Sequence, residues 1–415
     1  MQQLTSNLTP SVPSGRQIAS RATLQLFGLA LFMRVLTSLW IAFVSSLSPF
    51  TTREQRIQAW PPSAPFGAWL ERVLLAPWER WDLKYYLWIV QRGYRTDDGT
   101  AQFHPLLAWL ATPLAWLTGQ PLLALLVVSS TASVLLLIAF ERLARLDVSP
   151  VAARTSTLLL LFSPPAFILF APYTESLFLL WAVLCMLWAR RGWWWLAGLA
   201  GALAVLTRQQ GIVLALPLAW ELWEAAGRKP RRALRAWRDW LALALIPGGL
   251  LVWLMYRAVA LGDIQADFAS PQALIYSLII SPSASKVVPV QAFLLPPHAM
   301  WLALSKFGRA PELSLLIDLI LGGAWLVLVC IGWRGMRTSY RIYSITIALL
   351  SFGYHTGPFF PYMGLPRHLL LAFPVFIGLG PIMRGRVILR LRLIAGGLLG
   401  ILFLIWFYAF EAWVP

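Results

Sequence analysis

The chain has 415 residues, 59% of them hydrophobic and 12% charged, with a formal net charge of +17. Apolar runs of about twenty residues recur from one end to the other, which no water-soluble core requires, so composition alone indicates a multi-pass all-α membrane protein. The positive charge sits in short loops between apolar runs, where membrane orientation accounts for it, and no nucleic-acid partner is expected.

Taken in order, residues 1–22 are polar, contain Pro10 and Pro13, and lack the charged start, short apolar run and cleavage site of a secretory signal. They are expected to form a cytoplasmic tail ahead of a retained first span at 23–44. Arg34 lies inside that span and must face protein or water, either pairing with a carboxylate such as Asp318 or reaching a site.

Residues 45–121 form an outer loop centred on 78–105, W-E-R-W-D-L-K-Y-Y-L-W-I-V-Q-R-G-Y-R-T-D-D-G-T-A-Q-F-H-P. Leu83, Tyr86, Leu87 and Val90 fall on one helical face and Gly93 is placed to end the helix, which is expected to lie along the membrane surface. Asp82 precedes it. A carboxylate there suits an ordinary N-cap and, equally well oriented, a general base. Asp97 and Asp98 before Gly99 suit an exposed turn, with a divalent cation as the alternative. The apolar segment 104–117 is short for a crossing and reads as a re-entrant or interfacial helix.

Further spans are expected at 122–140, 155–170, 175–189, 193–206, 212–223, 240–259, 313–331, 342–354, 369–380 and 393–410, about eleven crossings in all. A second long outer loop occupies 261–312. No repeat or linker divides the chain, so 1–415 is read as one membrane domain. Gly396 and Gly400 have the spacing of a close helix contact. Cys185 and Cys330 both lie in apolar segments, so neither a disulfide framework nor a metal site is expected. No metal or other cofactor is called for.

If the N-terminus is cytoplasmic and 104–117 does not cross, the strongly basic short loops share the inner side. They hold Arg142, Arg145 and Arg154; Arg190 and Arg191; the cluster from Arg228 to Arg238; Arg334, Arg337 and Arg341; and Arg384 to Arg392. The chemically interesting stretches then all face out: the Asp82 loop, Tyr173 to Glu175, Arg208 to Gly211, and the loop ending in Arg367 and His368. Each of these residues also has a plainer reading. Glu175 suits the positive end of a helix, Arg208 a cation reaching the lipid headgroups, and Trp81 and Tyr85 burial in the loop. A cation at a helix start opposes the helix dipole, which favours a functional role for Arg367 and His368.

The ordered series W-D-x-x-Y-Y-x-x-I-x-x-x-G-Y, F-H-P-L, P-Y-T-E-S-L-F, T-R-Q-Q-G and P-R-H-L-L-x-x-F-P resembles the PIG-V family of membrane mannosyltransferases, within the GT-C superfamily. The resemblance covers roughly 80–221 and returns at Gly262-Asp263 and 366–374. The chain departs from the family pattern at His104, Leu107 and Ala108, and at Gln209 or Gln210, where the family tends to carry Asn. The resemblance implies a GT-C-type membrane glycosyltransferase that takes its sugar from a polyprenyl phosphate and passes it to a lipid or glycan acceptor. Its catalytic Asp would be Asp82. Arg208, Arg367 and His368 would contact the donor phosphate, and Trp81, Tyr85, His104, Tyr173, Glu175 and Gln209 the substrates. Short inner loops suit a prokaryotic plasma-membrane protein with its site on the outer face. The rivals are a GT-C enzyme moving another sugar, and a transporter or flippase, which would show mid-membrane charges and internal symmetry.

Overall fold

A computed structural model describes residues 15–47, 67–262, 269–270, 292–358 and 361–410, without the side chains of 15–22, 292 and 410. Most of the expected tail, residues 48–66 of the first outer loop, and 263–268 and 271–291 of the second lie outside the described residues.

Among the described residues the protein is helical apart from one two-residue antiparallel pair, in which Ala292 faces His355 and Phe293 faces Tyr354. Five helices are long and apolar enough to cross a membrane: Thr23–Leu47, Pro121–Ala144, Trp237–Leu261, Leu313–Gly335 and Val387–Ala409. A sixth is obtained if Pro150–Leu161 and Pro164–Phe170, bent by 82°, are taken as one. The bend falls at Pro164 and Pro165, whose missing N–H groups and fixed φ end the first segment. Shorter apolar helices run over Leu106–Thr118, Glu175–Ala189, Trp194–Thr207 and Pro374–Met383. The short segment expected at 104–117 is therefore a helix of that length, closed by Gly119 in the left-handed conformation.

The helix Glu175–Ala189 is the centre of the molecule. It is apolar on all sides and buried along nearly its whole length, packed against Pro121–Ala144 and Trp194–Thr207. Because the chain turns at 190–193 and returns antiparallel, the start of one helix and the end of the next, Glu175 and Arg208, meet at one end. Arg190 marks the opposite end, about 22 Å away at the rise of an α-helix.

Two expectations need correction. Arg34 does not pair with Asp318. It donates to the carbonyl of Phe170 and to Ser38, with its guanidinium 4.7 Å from the Trp78 ring centroid, so a backbone carbonyl and an aromatic face take the charge. Asp318 instead accepts the Leu365 N–H at 2.9 Å. The close contact of the last helix is made by Gly397 and Gly400, not Gly396: an added Cβ would meet the Phe162 carbonyl and the Pro164 ring, while Gly396 has nothing within 4 Å.

Candidate active site

The Asp82 helix forms as the periodicity requires, over Leu83–Arg92, and ends at Gly93 with φ 78°. It is not half-exposed. Leu83, Tyr86, Leu87 and Val90 are buried, and so are Lys84, Tyr85 and Ile89. Part of the cover comes from the segment after it, through Phe103, and part from Trp88 on the helix itself. Tyr85 stacks on Phe103 with ring centroids 4.6 Å apart, and Lys84 places its ammonium 4.0 Å from the Trp88 ring centroid. Burial brings the Lys84 ammonium down to about 8. The Asp97-Asp98-Gly99 stretch is a turn in which Asp98 accepts from Thr100 and pairs with Arg92 at 2.7 Å.

Asp82 does not cap this helix. Its backbone is already helical and its carboxylate makes no cap hydrogen bond. Trp81, just before it, has φ 52°, a left-handed conformation that a residue with a Cβ adopts at a cost. The carboxylate accepts from Arg367 Nη2 at 3.4 Å instead.

Three further segments converge there. Glu175 is 1% exposed and accepts from Arg208 Nη1 at 2.7 Å, while its Oε1 lies 3.9 Å from Arg367 Nε. Arg208 also donates to Thr174 Oγ1 at 2.9 Å. The cluster is thus two carboxylates and two guanidinium groups drawn from four separated motifs. Glu175 Oε2 and Arg208 Nε are buried without a hydrogen-bond partner, and unspent polar capacity of that kind in a folded interior calls for an explanation.

Support for the cluster comes from residues that periodicity does not single out. Asp318 holds the Leu365 N–H and so fixes the short helix Leu365–Leu370 that carries Arg367. Gly364 has φ +83°, and a Cβ on it would lie 2.5 Å from Arg367 Nε, so only glycine lets the guanidinium lie across this turn. Tyr173 donates to the Arg80 carbonyl at 2.8 Å and its ring lies 5.9 Å beneath Arg367. Tyr408, from the last helix, donates to the Trp78 carbonyl at 3.0 Å and ties down the same loop. Nothing in an apolar run marks that tyrosine in advance.

Burial raises the Asp82 pKa above the ordinary carboxylate value, Glu175 adds to the rise, and Arg367 and Arg208 oppose it. Burial, with Arg208 and Arg367 nearby, holds His368 neutral, so it offers a hydrogen bond rather than a charge. His104 is brought down to about 3, by burial first, and packs 5.8 Å from the Trp253 ring centroid. The structure therefore joins Asp82, Glu175, Arg208 and Arg367 directly and places Tyr173 beneath them. Tyr85 is committed to Phe103, and His104 packs on Trp253. Gln209 opens the 3-10 turn that follows Arg208. Among the described residues no group of three or more His, Cys, Asp or Glu side chains could hold a metal ion.

Part of the chain is distantly similar to a known mannosyltransferase. It is 33% identical over 165 residues to GPI alpha-1,6-mannosyltransferase 2 of Rattus norvegicus, and equally to that of Mus musculus, over 37% of this chain and 34% of each relative. The match thus spans about a third of the length of these curated relatives. No known protein-family profile matches the chain. Among solved structures, ArnT from Cupriavidus metallidurans bound to undecaprenyl phosphate aligns with a TM-score of 0.49 at 14% identity, over 91% of this chain and 64% of that one. The archaeal oligosaccharyltransferase AglB from Archaeoglobus fulgidus, in complex with an inhibitory peptide and a dolichol-phosphate, aligns with a TM-score of 0.47 at 12% identity, over 95% and 56%.

Proposed function

We propose that this protein is a GT-C-type membrane glycosyltransferase that moves mannose from polyprenyl-phosphate mannose to a lipid-linked or other extracytoplasmic acceptor, with inversion. The observation that carries the reading is the meeting of Asp82 with Arg367, Arg208 and Glu175, since these four residues stand in four of the five motif segments that resemble the mannosyltransferases. The similarity to GPI alpha-1,6-mannosyltransferase 2 supports the choice of mannose.

The chemistry fits such a cluster. The acceptor hydroxyl gives its proton to Asp82 as its oxygen bonds to the anomeric carbon. The anomeric C–O bond to phosphate breaks, and its electron pair leaves with the polyprenyl phosphate. A phosphate leaving group needs little protonation, so one base and a pair of cations suffice, without the paired acid and base of many glycosidases. Asp82 is suited as the base because no cap hydrogen bond engages it and its pKa is raised towards the working pH. Arg208 and Arg367 would face the departing phosphate and His368 would donate a neutral hydrogen bond. Trp81, Tyr85, His104 and Gln209 would wall the substrates, and Tyr173 would seat Arg367.

In this reading the chain is one membrane domain, 1–415, with a cytoplasmic tail at 1–22, outer loops at 45–121 and 261–312, and about eleven crossings, shorter apolar helices such as Glu175–Ala189 completing the set. The site then faces the outer side of a prokaryotic plasma membrane, as the placement of the basic loops favours.

The deciding experiment is transfer from radiolabelled polyprenyl-phosphate mannose to endogenous lipids in vesicles holding either the wild type or Asp82→Asn. Transfer by the wild type alone supports the reaction and the base together. Near-normal transfer by purified Asp82→Asn overturns the base. Silence of the folded wild type across several polyprenyl-phosphate sugars and lipid extracts overturns the enzyme reading in favour of transport.

A further inference from the structure

Glu175 has no step of its own in that chemistry, yet it is the most deeply buried member of the cluster. Its side chain is 1% exposed, against 12% for Arg367, 15% for Arg208 and 26% for Asp82. It contacts both arginines, at 2.7 and 3.9 Å, whereas Asp82 bonds one of them. A side chain that merely anchored the start of its helix would spend itself on the backbone. Glu175 spends one oxygen on Arg208 and keeps Oε2 buried without a partner.

The charges give this placement a consequence, and it rests on the proposed reaction. A polyprenyl-phosphate sugar is a phosphodiester with a single negative charge, while the polyprenyl phosphate left behind is a monoester that becomes a dianion above about pH 6. Repulsion from a fixed carboxylate scales with the charge of the bound anion, so it acts twice as strongly on the product as on the donor. Before transfer Asp82 and Glu175 match the two arginines; once Asp82 has taken the acceptor's proton, Glu175 alone offsets them, and the dianion meets one excess positive charge rather than two. With Arg208 and Arg367 alone, each turnover would end with the product clamped between two cations.

We propose that Glu175 is a positioning residue that aligns Arg208 and Arg367 and, by cancelling part of their charge, lets the phosphate product leave. It acts through the arginines and does not touch the reacting atoms.

The test is kinetic, in detergent or vesicles, with undecaprenyl-phosphate mannose as donor and undecaprenyl phosphate as product inhibitor. Glu175→Gln should tighten product inhibition roughly tenfold or more, lower the donor KM by a smaller factor, and lower kcat as release becomes limiting. Glu175→Asp keeps the charge, and its product inhibition should stay within about twofold of the wild type. A purely structural role predicts the reverse: in Glu175→Gln, weaker donor and product binding together with a lower melting temperature. That outcome overturns the proposal, as does a Glu175→Asp protein inhibited as tightly as Glu175→Gln.

A wild-type measurement keeps the test open if Glu175→Gln does not fold. Undecaprenyl phosphate should inhibit no more strongly above its second ionisation than below it, and inhibition that grows severalfold as the dianion forms overturns the inference alone. A folded wild type that neither transfers sugar nor is inhibited overturns the proposed function, and the inference with it.

Discussion

The two ends of the central helix carry charged clusters of the same residue types, completed to different degrees. At the Arg190 end, Asp147 accepts from Arg190 and from Tyr340, each at 2.8 Å. Arg337 pairs with Glu224 at 2.7 Å and with Glu221 at 3.3 Å, and Ser339 donates to Glu221. The loops joined in this way are among the basic ones expected from the sequence to share one side of the membrane. Their hydrogen-bonding capacity is spent on one another, as befits a clasp between helix ends. At the Glu175 end, Glu175 Oε2 and Arg208 Nε are buried without a hydrogen-bond partner. On the proposed function the difference is that between a structural network, finished by the fold, and a site that a ligand would finish.

Mutations can break or sharpen that contrast. The largest effect is expected from Asp82→Asn, which should lower transfer by about a thousandfold or more while the melting temperature stays within a few degrees of the wild type. Next is Arg190→Ala at the other end. It removes the cation that pairs with Asp147 at 2.8 Å, leaving Tyr340 as its hydrogen-bond donor, should cost about 3 kcal/mol of stability in a denaturation assay, and should leave turnover per folded molecule near normal. If Arg190→Ala abolished transfer in folded protein, the contrast between clasp and site would fail. Arg208→Ala should raise the donor KM more than it lowers kcat, since its guanidinium is read as a phosphate contact. Gly364→Ala forces a Cβ against Arg367 at positive φ. It should lower kcat/KM roughly tenfold through Arg367, with a stability loss of about 1–2 kcal/mol.

The smallest effect is a pH dependence, with opposite signs for activity and stability. Asp82 must be ionised to take a proton, and its raised pKa moves the acid limb of the rate profile above the ordinary carboxylate range, so transfer should rise with pH there. A carboxyl whose folded pKa is raised contributes stability that is fully present below its unfolded pKa and is lost as pH rises through the folded pKa. Melting of the wild type should therefore drop slightly over the window in which its activity climbs. Asp82→Asn should lack that drop, which a pH series of thermal melts will show.

Much of this was legible in the residues. The Asp82 helix and its Gly93 stop followed from local periodicity and from a glycine's access to positive φ, which need no tertiary partner. The short helix at Leu106–Thr118 followed from a run too brief for a full crossing. The four cluster residues could be named because a charge beside an apolar run is conspicuous. Their mutual contacts could not, because Asp82 and Arg367 lie 285 positions apart and no local rule relates them.

Sequence by itself determined the all-helical membrane class, the ends of the local helices and the residues worth suspecting, because hydropathy, turn chemistry and isolated charges are written within a few neighbours. Tertiary structure decided what those residues do to each other. It turned Asp82 from a cap towards Arg367, gave Arg34 to the Phe170 carbonyl, set Asp318 under the turn that carries Arg367, and moved the helix contact from Gly396 to Gly397. Such choices depend on which distant group arrives in a low-dielectric interior, where an unmatched charge is costly and its partner is fixed by packing rather than by order along the chain.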